Sequence, residues 1–167
     1  MGITEKYNEE YQYVEYAVEK YSDLLFRICC SILMNQADAE DAVQETFMRY
    51  MTKAPLFRDS DHEKAWLIKV ATNICKNMVR FKMRHDFVNL EELKNIGVNN
   101  DDRDILETIM RLPPKYKIVL DLYYIEGYKA NEISSIINVS PAAVRKRLQY
   151  GRKLLKHEFE RNELHES

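Results

Sequence analysis

Between Ile137 and Ala142 the chain runs Ile-Asn-Val-Ser-Pro-Ala, and this short stretch leaves little freedom to the residues around it. Asn138 closes an apolar run of Ile133, Ile136 and Ile137. Asparagine is one of the few residues whose side chain tolerates a left-handed backbone, so a helix can stop there. Ser140 is a good N-cap because its hydroxyl can accept a bond from an orphaned amide, and Pro141 suits a first helical position, where no amide partner is lost. A second helix therefore starts at Pro141. Along it Val144, Leu148, Gly151 and Leu155 recur at helical spacing and share one stripe, with Gly151 permitting close packing while weakening the helix. The segment from Asn131 to Phe159 reads as a helix-turn-helix.

The opposite face of that second helix carries Arg145, Lys146, Gln149, Arg152 and Lys153, and no acid occurs between Ser140 and His157. Arginine and glutamine can pair with purine edges in a major groove, whereas lysine and the later arginine suit phosphates. The N-terminal part of such a helix meets the bases. Arg145, Lys146 and Gln149 are therefore candidate base readers and Arg152 and Lys153 candidate backbone contacts. Ser140 and Ala143, at the helix start, belong to the same candidate surface. A merely solvated basic face is the plain alternative; the turn chemistry before it favours the DNA reading.

Glycine and proline are scarce elsewhere, four of each in 167 residues, and helix-period patterns run through most of the chain, so the expected class is all-α. Helices are expected near Asn8 to Leu33, Ala37 to Thr52, Glu63 to Arg84, Asp104 to Arg111, Pro114 to Glu126, Lys129 to Ile137 and Pro141 to Asn162. From His85 to Asp102 the pattern breaks into asparagines, Gly97 and acids. Two small helical domains follow, residues 1–85 and 104–167, joined by an acidic flexible linker at 86–103.

The net charge of -2 hides segregation: Lys64 to Arg84 and Arg145 to Lys156 contain no Asp or Glu, while Asp38 to Glu45 and Asp86 to Glu107 are dominated by acids. Local patches should therefore choose the partners. Cys29, Cys30 and Cys75 form neither a metal-ligand spacing nor a disulfide framework and read as reduced core residues. No apolar run approaches spanning length, and the N-terminus lacks the basic and apolar regions of a signal peptide, so a cytoplasmic protein without membrane insertion is expected. No phosphate loop, metal set or nucleophile with a base is present, which argues against an enzyme, and no cofactor or metal is called for.

A second motif is DAEDAVQETFMRY, Asp38 to Tyr50. On a helix Ala39, Ala42 or Val43, Phe47 and Tyr50 can face inward, leaving Asp38, Asp41, Gln44, Glu45 and Met48 outward. Helix capping and solubility would account for acids near the start of such a helix. With AWLIKVATN (Ala65 to Asn73) and LPPKYKIVLDLYYIEGYKANEIS (Leu112 to Ser134), in this order, the chain resembles the extracytoplasmic-function (ECF) branch of the sigma-70 family, initiation subunits of bacterial RNA polymerase. The resemblance runs from about Tyr21 to Phe159.

It implies that residues 1–85 are sigma region 2 and 104–167 region 4. It also implies that Asp38, Asp41, Gln44, Glu45 and Met48 meet the clamp helices of the polymerase β′ subunit, with region 4 on the β flap. The long helix Glu63 to Arg84 would read the -10 promoter element, with Lys69, Asn73, Lys76 and Arg80 along its polar face and Leu67, Ala71, Ile74 and Met78 packed behind. PLFRDSDHE, Pro55 to Glu63, matches the loop that receives a base turned out of the non-template strand. There Phe57 offers either a stacking surface or a buried anchor and Arg58 a charge; Trp66 reads as core rather than wedge. The helix from Pro141 would read the -35 element. An anti-sigma protein and a monomeric free state are further implications, and a stand-alone helix-turn-helix regulator is the alternative. The chain departs from the family pattern at Asn138, where glycine is usual, at Ser134, where alanine is usual, and at Tyr150-Gly151, which replaces an Arg-Ala pair.

Overall fold

The computed structural model describes residues 2–85 and 111–166; the expected linker, and all but the last residue of the expected helix Asp104 to Arg111, lie outside the described residues. The described residues form six α-helices and no strand. These are α1 (Ile3–Leu33), α2 (Gln36–Lys53), α3 (Ser60–His85), α4 (Pro114–Leu120), α5 (Ala130–Ile137) and α6 (Pro141–Glu166).

The first three helices pack around one core. Leu25, Ile28 and Cys29 of α1 meet Ala39, Ala42 and Phe47 of α2 and Leu67, Ile68, Ala71 and Cys75 of α3, all buried. Burial of each large aliphatic side chain contributes about 1.5–3 kcal/mol. Small residues at 39 and 42 let α2 approach closely. The turn between α1 and α2 takes the backbone through a left-handed Met34 (φ 56°), after which the Asn35 side chain caps α2 by accepting from the Asp38 amide at 2.8 Å. Cys29 and Cys75 are buried free thiols and Cys30 is half-buried, which fits their reading as core residues.

One carboxylate ties the three helices together. Glu63, 6 % exposed, accepts hydrogen bonds from the hydroxyls of Tyr13 (3.1 Å), Tyr21 (3.0 Å) and Tyr50 (2.5 Å), drawn from α1 and α2. A charge this buried is tolerable only with such partners. Burial, followed by the bond to Glu63, pushes the Tyr50 hydroxyl well above its usual range. α3 begins at Ser60 rather than Glu63 because the Asp59 side chain accepts from the His62 amide at 2.7 Å and caps it.

The second unit contains α4, α5 and α6 around Ile118, Val119, Leu122, Ile133, Ile136, Ile137, Val144 and Leu148. A continuous helix from Pro114 to Glu126 is not what forms. After Leu120 the backbone widens into a π-helical turn, Asp121–Ile125, in which the Glu126 amide reaches back to the Asp121 carbonyl at 3.1 Å. Gly127 then turns the chain at φ 75°, a conformation that suits glycine. Tyr123, Tyr124 and Ile125 are left exposed, while Asp121 faces α1, where its carboxylate accepts from the Ser31 hydroxyl at 2.6 Å. The two units thus pack on each other, α4 against α1 and α5 against α3.

Candidate nucleic-acid interface

The helix-turn-helix forms as its residues demand. Asn138 adopts φ 55°, ψ 50°, and the Ser140 hydroxyl accepts from the Ala143 amide at 3.1 Å. At the other end of α5 the Lys129 amide donates to the Glu132 carboxylate at 2.7 Å. Each departure from the family pattern has a local accommodation. Ser134 donates its hydroxyl to the Val139 carbonyl at 2.6 Å, tying α5 to the turn. A Cβ added at Gly151 would stand 3.0 Å from Leu120 Cδ1, so the missing side chain lets α6 approach α4. Tyr150 is exposed and stacks on Tyr116, ring centres 6.1 Å apart.

Arg145, Lys146, Gln149, Arg152 and Lys153 all stand exposed along α6, and Ala143 is half-buried beside the cap. Arg152 donates from Nη1 to the Tyr124 hydroxyl at 2.9 Å, so the π-turn positions one of the candidate phosphate contacts. No local pattern in the sequence points to that pairing; the exposed tyrosine pair itself was the available signal.

On α3 the expected polar residues do not share one environment. Lys69, Asn73 and Arg80 are exposed, but Lys76 is half-buried and its ammonium donates to the Ile137 carbonyl, at the end of α5, at 3.3 Å. Burial and then the positive charges of Arg147 and Arg80 hold that ammonium below its usual pKa. Lys64, one turn into the helix, reaches Glu126 at 3.6 Å. Met78 packs only partly, while Leu67, Ala71 and Ile74 are buried.

Of the two readings of Phe57, the geometry is that of an anchor. Its ring stacks on Tyr50 (6.0 Å, 10°) and meets Trp66 and His62 edge-on at 5.8 and 5.4 Å. Trp66 packs against the core, as expected. The loop exposes Pro55, Leu56, Arg58 and Asp59; Leu56, 98 % exposed, was missed in the sequence reading because an isolated leucine in a loop carries no periodic signal. Arg58 and Lys69 also line a cleft of about 460 Å³ between α3 and α5, with Trp66, Tyr128 and Glu132.

The outer face of α2 forms a separate surface. Asp41 and Gln44 are exposed, Glu45 is partly so and accepts from Arg49 at 2.9 Å, and Met48 is 58 % exposed. Asp38 differs: it forms an ion pair with Lys82 of α3, so part of its charge is already matched. Exposed Met51, three residues beyond Met48, extends the apolar end of this face. Among the described residues, no three His, Cys, Asp or Glu side chains gather as a metal-ligand set, and no helix is long and apolar enough to cross a membrane.

Family profiles described as "Sigma-70 region 2" and "Sigma-70, region 4" match residues 17–85 and 102–155. The chain is 28 % identical to the ECF RNA polymerase sigma factor SigW of Bacillus subtilis, over 85 % of this chain and 86 % of that protein. To the ECF RNA polymerase sigma factor SigE of Mycolicibacterium smegmatis it is 30 % identical, over 83 % of this chain and 58 % of the longer relative. Its fold is similar to that of the sigma factor RpoE, solved with the anti-sigma factor NepR from Bartonella quintana, with a TM-score of 0.68 at 16 % identity over 87 % of this chain and 96 % of that one. Both units and their order agree, and the chain belongs to the sigma-70 family as an ECF RNA polymerase sigma factor, an initiation subunit and not an enzyme.

Proposed function

We infer that this sigma factor divides its work among three surfaces. The outer face of α2, with Asp41, Gln44, Glu45 and Met48 and a lesser part for the paired Asp38, docks on the β′ clamp helices of core polymerase. Carboxylates and an amide on a rigid helix suit an arginine-bearing partner, and the neighbouring methionine supplies apolar contact. The loop at Pro55 to Asp59, with Arg58 and the edge of Phe57, and α3, with Lys69, Asn73, Lys76 and Arg80, take the -10 element. At the -35 element Arg145, Lys146 and Gln149 read bases from α6, and Arg152 and Lys153 hold phosphates, with Ser140 and Ala143 at the helix start. Region 4 meets the β flap. Region 2 occupies residues 1–85 and region 4 residues 104–167, joined by the linker at 86–103. The free chain is a cytoplasmic monomer restrained by an anti-sigma protein.

The observation that carries this reading is the coexistence on one chain of an exposed acidic face on α2 and two basic helices, α3 and α6. A DNA-binding regulator acting alone would need only α6. The test is complex formation with bacterial core polymerase, followed by run-off transcription from a randomised promoter library. Reversal of Asp41 and Glu45 to lysine should weaken core binding roughly tenfold or more at low salt while leaving helicity unchanged. Equal binding by the reversed variant would remove the α2 assignment; failure of the native chain to bind core would favour the stand-alone regulator.

A further inference from the structure

From Pro55 to Asp59 only Phe57 is half-buried; its neighbours in the loop are exposed, so the loop is held to the fold by that one side chain. Its anchor runs further than the contact with Tyr50. Tyr50 of α2 also stacks on Tyr13 of α1, ring centres 5.9 Å apart and 15° from parallel, so three near-parallel rings lead from α1 through α2 to the loop. Glu63 secures the same run: its Oε1 accepts from both Tyr13 and Tyr50, at 3.1 and 2.5 Å, while Oε2 accepts from Tyr21 at 3.0 Å. The ends of the loop are tied as well, the Ala54 amide to the Tyr50 carbonyl and the Arg58 amide to His62 Nδ1, each at 3.3 Å. Tyr13 lies ahead of residues 17–85, the part of the chain that the region 2 profile matches.

We propose that Tyr13 is a positioning residue for -10 recognition: its ring, stacked on Tyr50, keeps Phe57 and with it the loop Pro55 to Asp59 in the shape that receives a non-template base. The proposal rests on the reading of that loop as the base-receiving element and adds the residue that keeps its shape. Tyr13 does not touch the DNA itself. Glu9 and Glu10, exposed one turn before it on α1, turn a phosphate backbone away.

A receiving site tells bases apart only while its walls hold their shape. Where each incoming base must first order the loop, part of the binding energy goes into that ordering, and a wall that yields accepts a wrong base at little penalty. Phe57 keeps its place against Tyr50, and Tyr50 is fixed at its hydroxyl by Glu63 and on its ring by Tyr13. A hydroxyl bond alone leaves a ring free to tilt about it; a stacked neighbour restricts that tilt. Tyr13 is 53 % exposed, so its ring adds less to the core than a buried one, and the region 2 core of Leu25, Leu67 and Ile68 does not depend on it.

The experiment uses the full chain bound to bacterial core polymerase, transcribing from two promoter libraries, one randomised over the -10 element and one over the -35 element. Tyr13→Ala is compared with Tyr13→Phe, which keeps the ring, and with Tyr11→Ala, which removes an exposed tyrosine from the same helix. Tyr13→Ala should lower the preference for the favoured base at one -10 position roughly threefold to tenfold, the range that one aromatic stack corresponds to. Core affinity and -35 selection should stay native, Tyr13→Phe should restore the preference, and Tyr11→Ala should leave it unchanged. Native -10 selection by Tyr13→Ala overturns the proposal. So does a loss spread over both libraries with weaker core binding, which is what general loosening of region 2 produces, and so does Tyr13→Phe behaving like Tyr13→Ala. If Arg58→Ala alters -10 selection while Tyr13→Ala does not, the loop reading survives that failure. If neither alters it, both readings fall.

Discussion

α3 and α6 are both 26 residues long and both basic along one face, yet they meet solvent differently. α6 is held mainly from behind, by Val144, Leu148 and the close approach of Gly151 to Leu120, and among the described residues the one bond from its exposed basic side chains Arg145, Lys146, Arg152 and Lys153 to another element is that of Arg152 to Tyr124. α3 is held from both sides. Its apolar stripe lies in the region 2 core, its start is fixed by Glu63 beneath three tyrosines, and Lys64 and Lys76 on its polar side are taken up by Glu126 and α5. The basic face of α6 is presented; α3 is both more firmly rooted and partly covered.

The sharpest way to break this contrast is at the root of α3. Glu63→Ala would leave the buried Tyr50 hydroxyl without its acceptor and Tyr21 with the Ser60 carbonyl alone at 3.3 Å, while the exposed Tyr13 turns to water, at a cost of about 2–3 kcal/mol. Chemical denaturation should show region 2 lost before region 4. A loss below about 1 kcal/mol would mean that water replaces the carboxylate and that α3 is no better rooted than α6.

The cover over region 2 can be sharpened through pH. Burial lowers Lys117 from 10.5 to about 8, so between those values the unfolded chain binds more protons than the folded one. The stability missing below the lower value therefore returns as pH rises towards the upper one. A methionine at 117 carries no such penalty. Lys117→Met should exceed the native chain by roughly 2–3 kcal/mol at neutral pH. That advantage should shrink as pH climbs from about 8 to 10.5. A difference that stays constant across this range would show that Lys117 contributes through packing alone.

The smallest effect concerns the back of α6. Gly151→Ala places a Cβ 3.0 Å from Leu120 Cδ1, and the resulting overpacking opposes the better helix propensity of alanine. A net loss of about 1 kcal/mol or less is expected in thermal denaturation, with the -35 affinity preserved because the basic face is untouched. A gain in stability would show that Leu120 swings aside and that α6 does not depend on the close approach.

Much of α6 and its turn was legible before any coordinates. Asn138 takes the left-handed backbone expected of it and Ser140 caps as expected, because such preferences act between residues a few positions apart. The outward placement of Asp41, Gln44 and Met48 on α2 followed equally from helical period. The π-turn after Leu120 was not legible, since Pro114 to Glu126 carries an ordinary helical pattern, and the partner its Asp121 meets, Ser31, lies 90 positions away along the chain. Asp38 was placed outward by the same periodicity that succeeded for Asp41, but its pairing with Lys82 depends on where α3 crosses α2.

The sequence by itself determined an all-α chain of two units, the helix-turn-helix and the order of motifs that marks the family, because periodicity, capping and turn chemistry are written in neighbouring residues. Tertiary structure alone decided which basic residues face open solvent. Lys76 and the Ile137 carbonyl are 61 positions apart, and nothing local to either marks the other as its partner. Such a pairing exists only once packing has brought the two units together, since Coulomb and hydrogen-bond energies depend on distance in space and not along the chain.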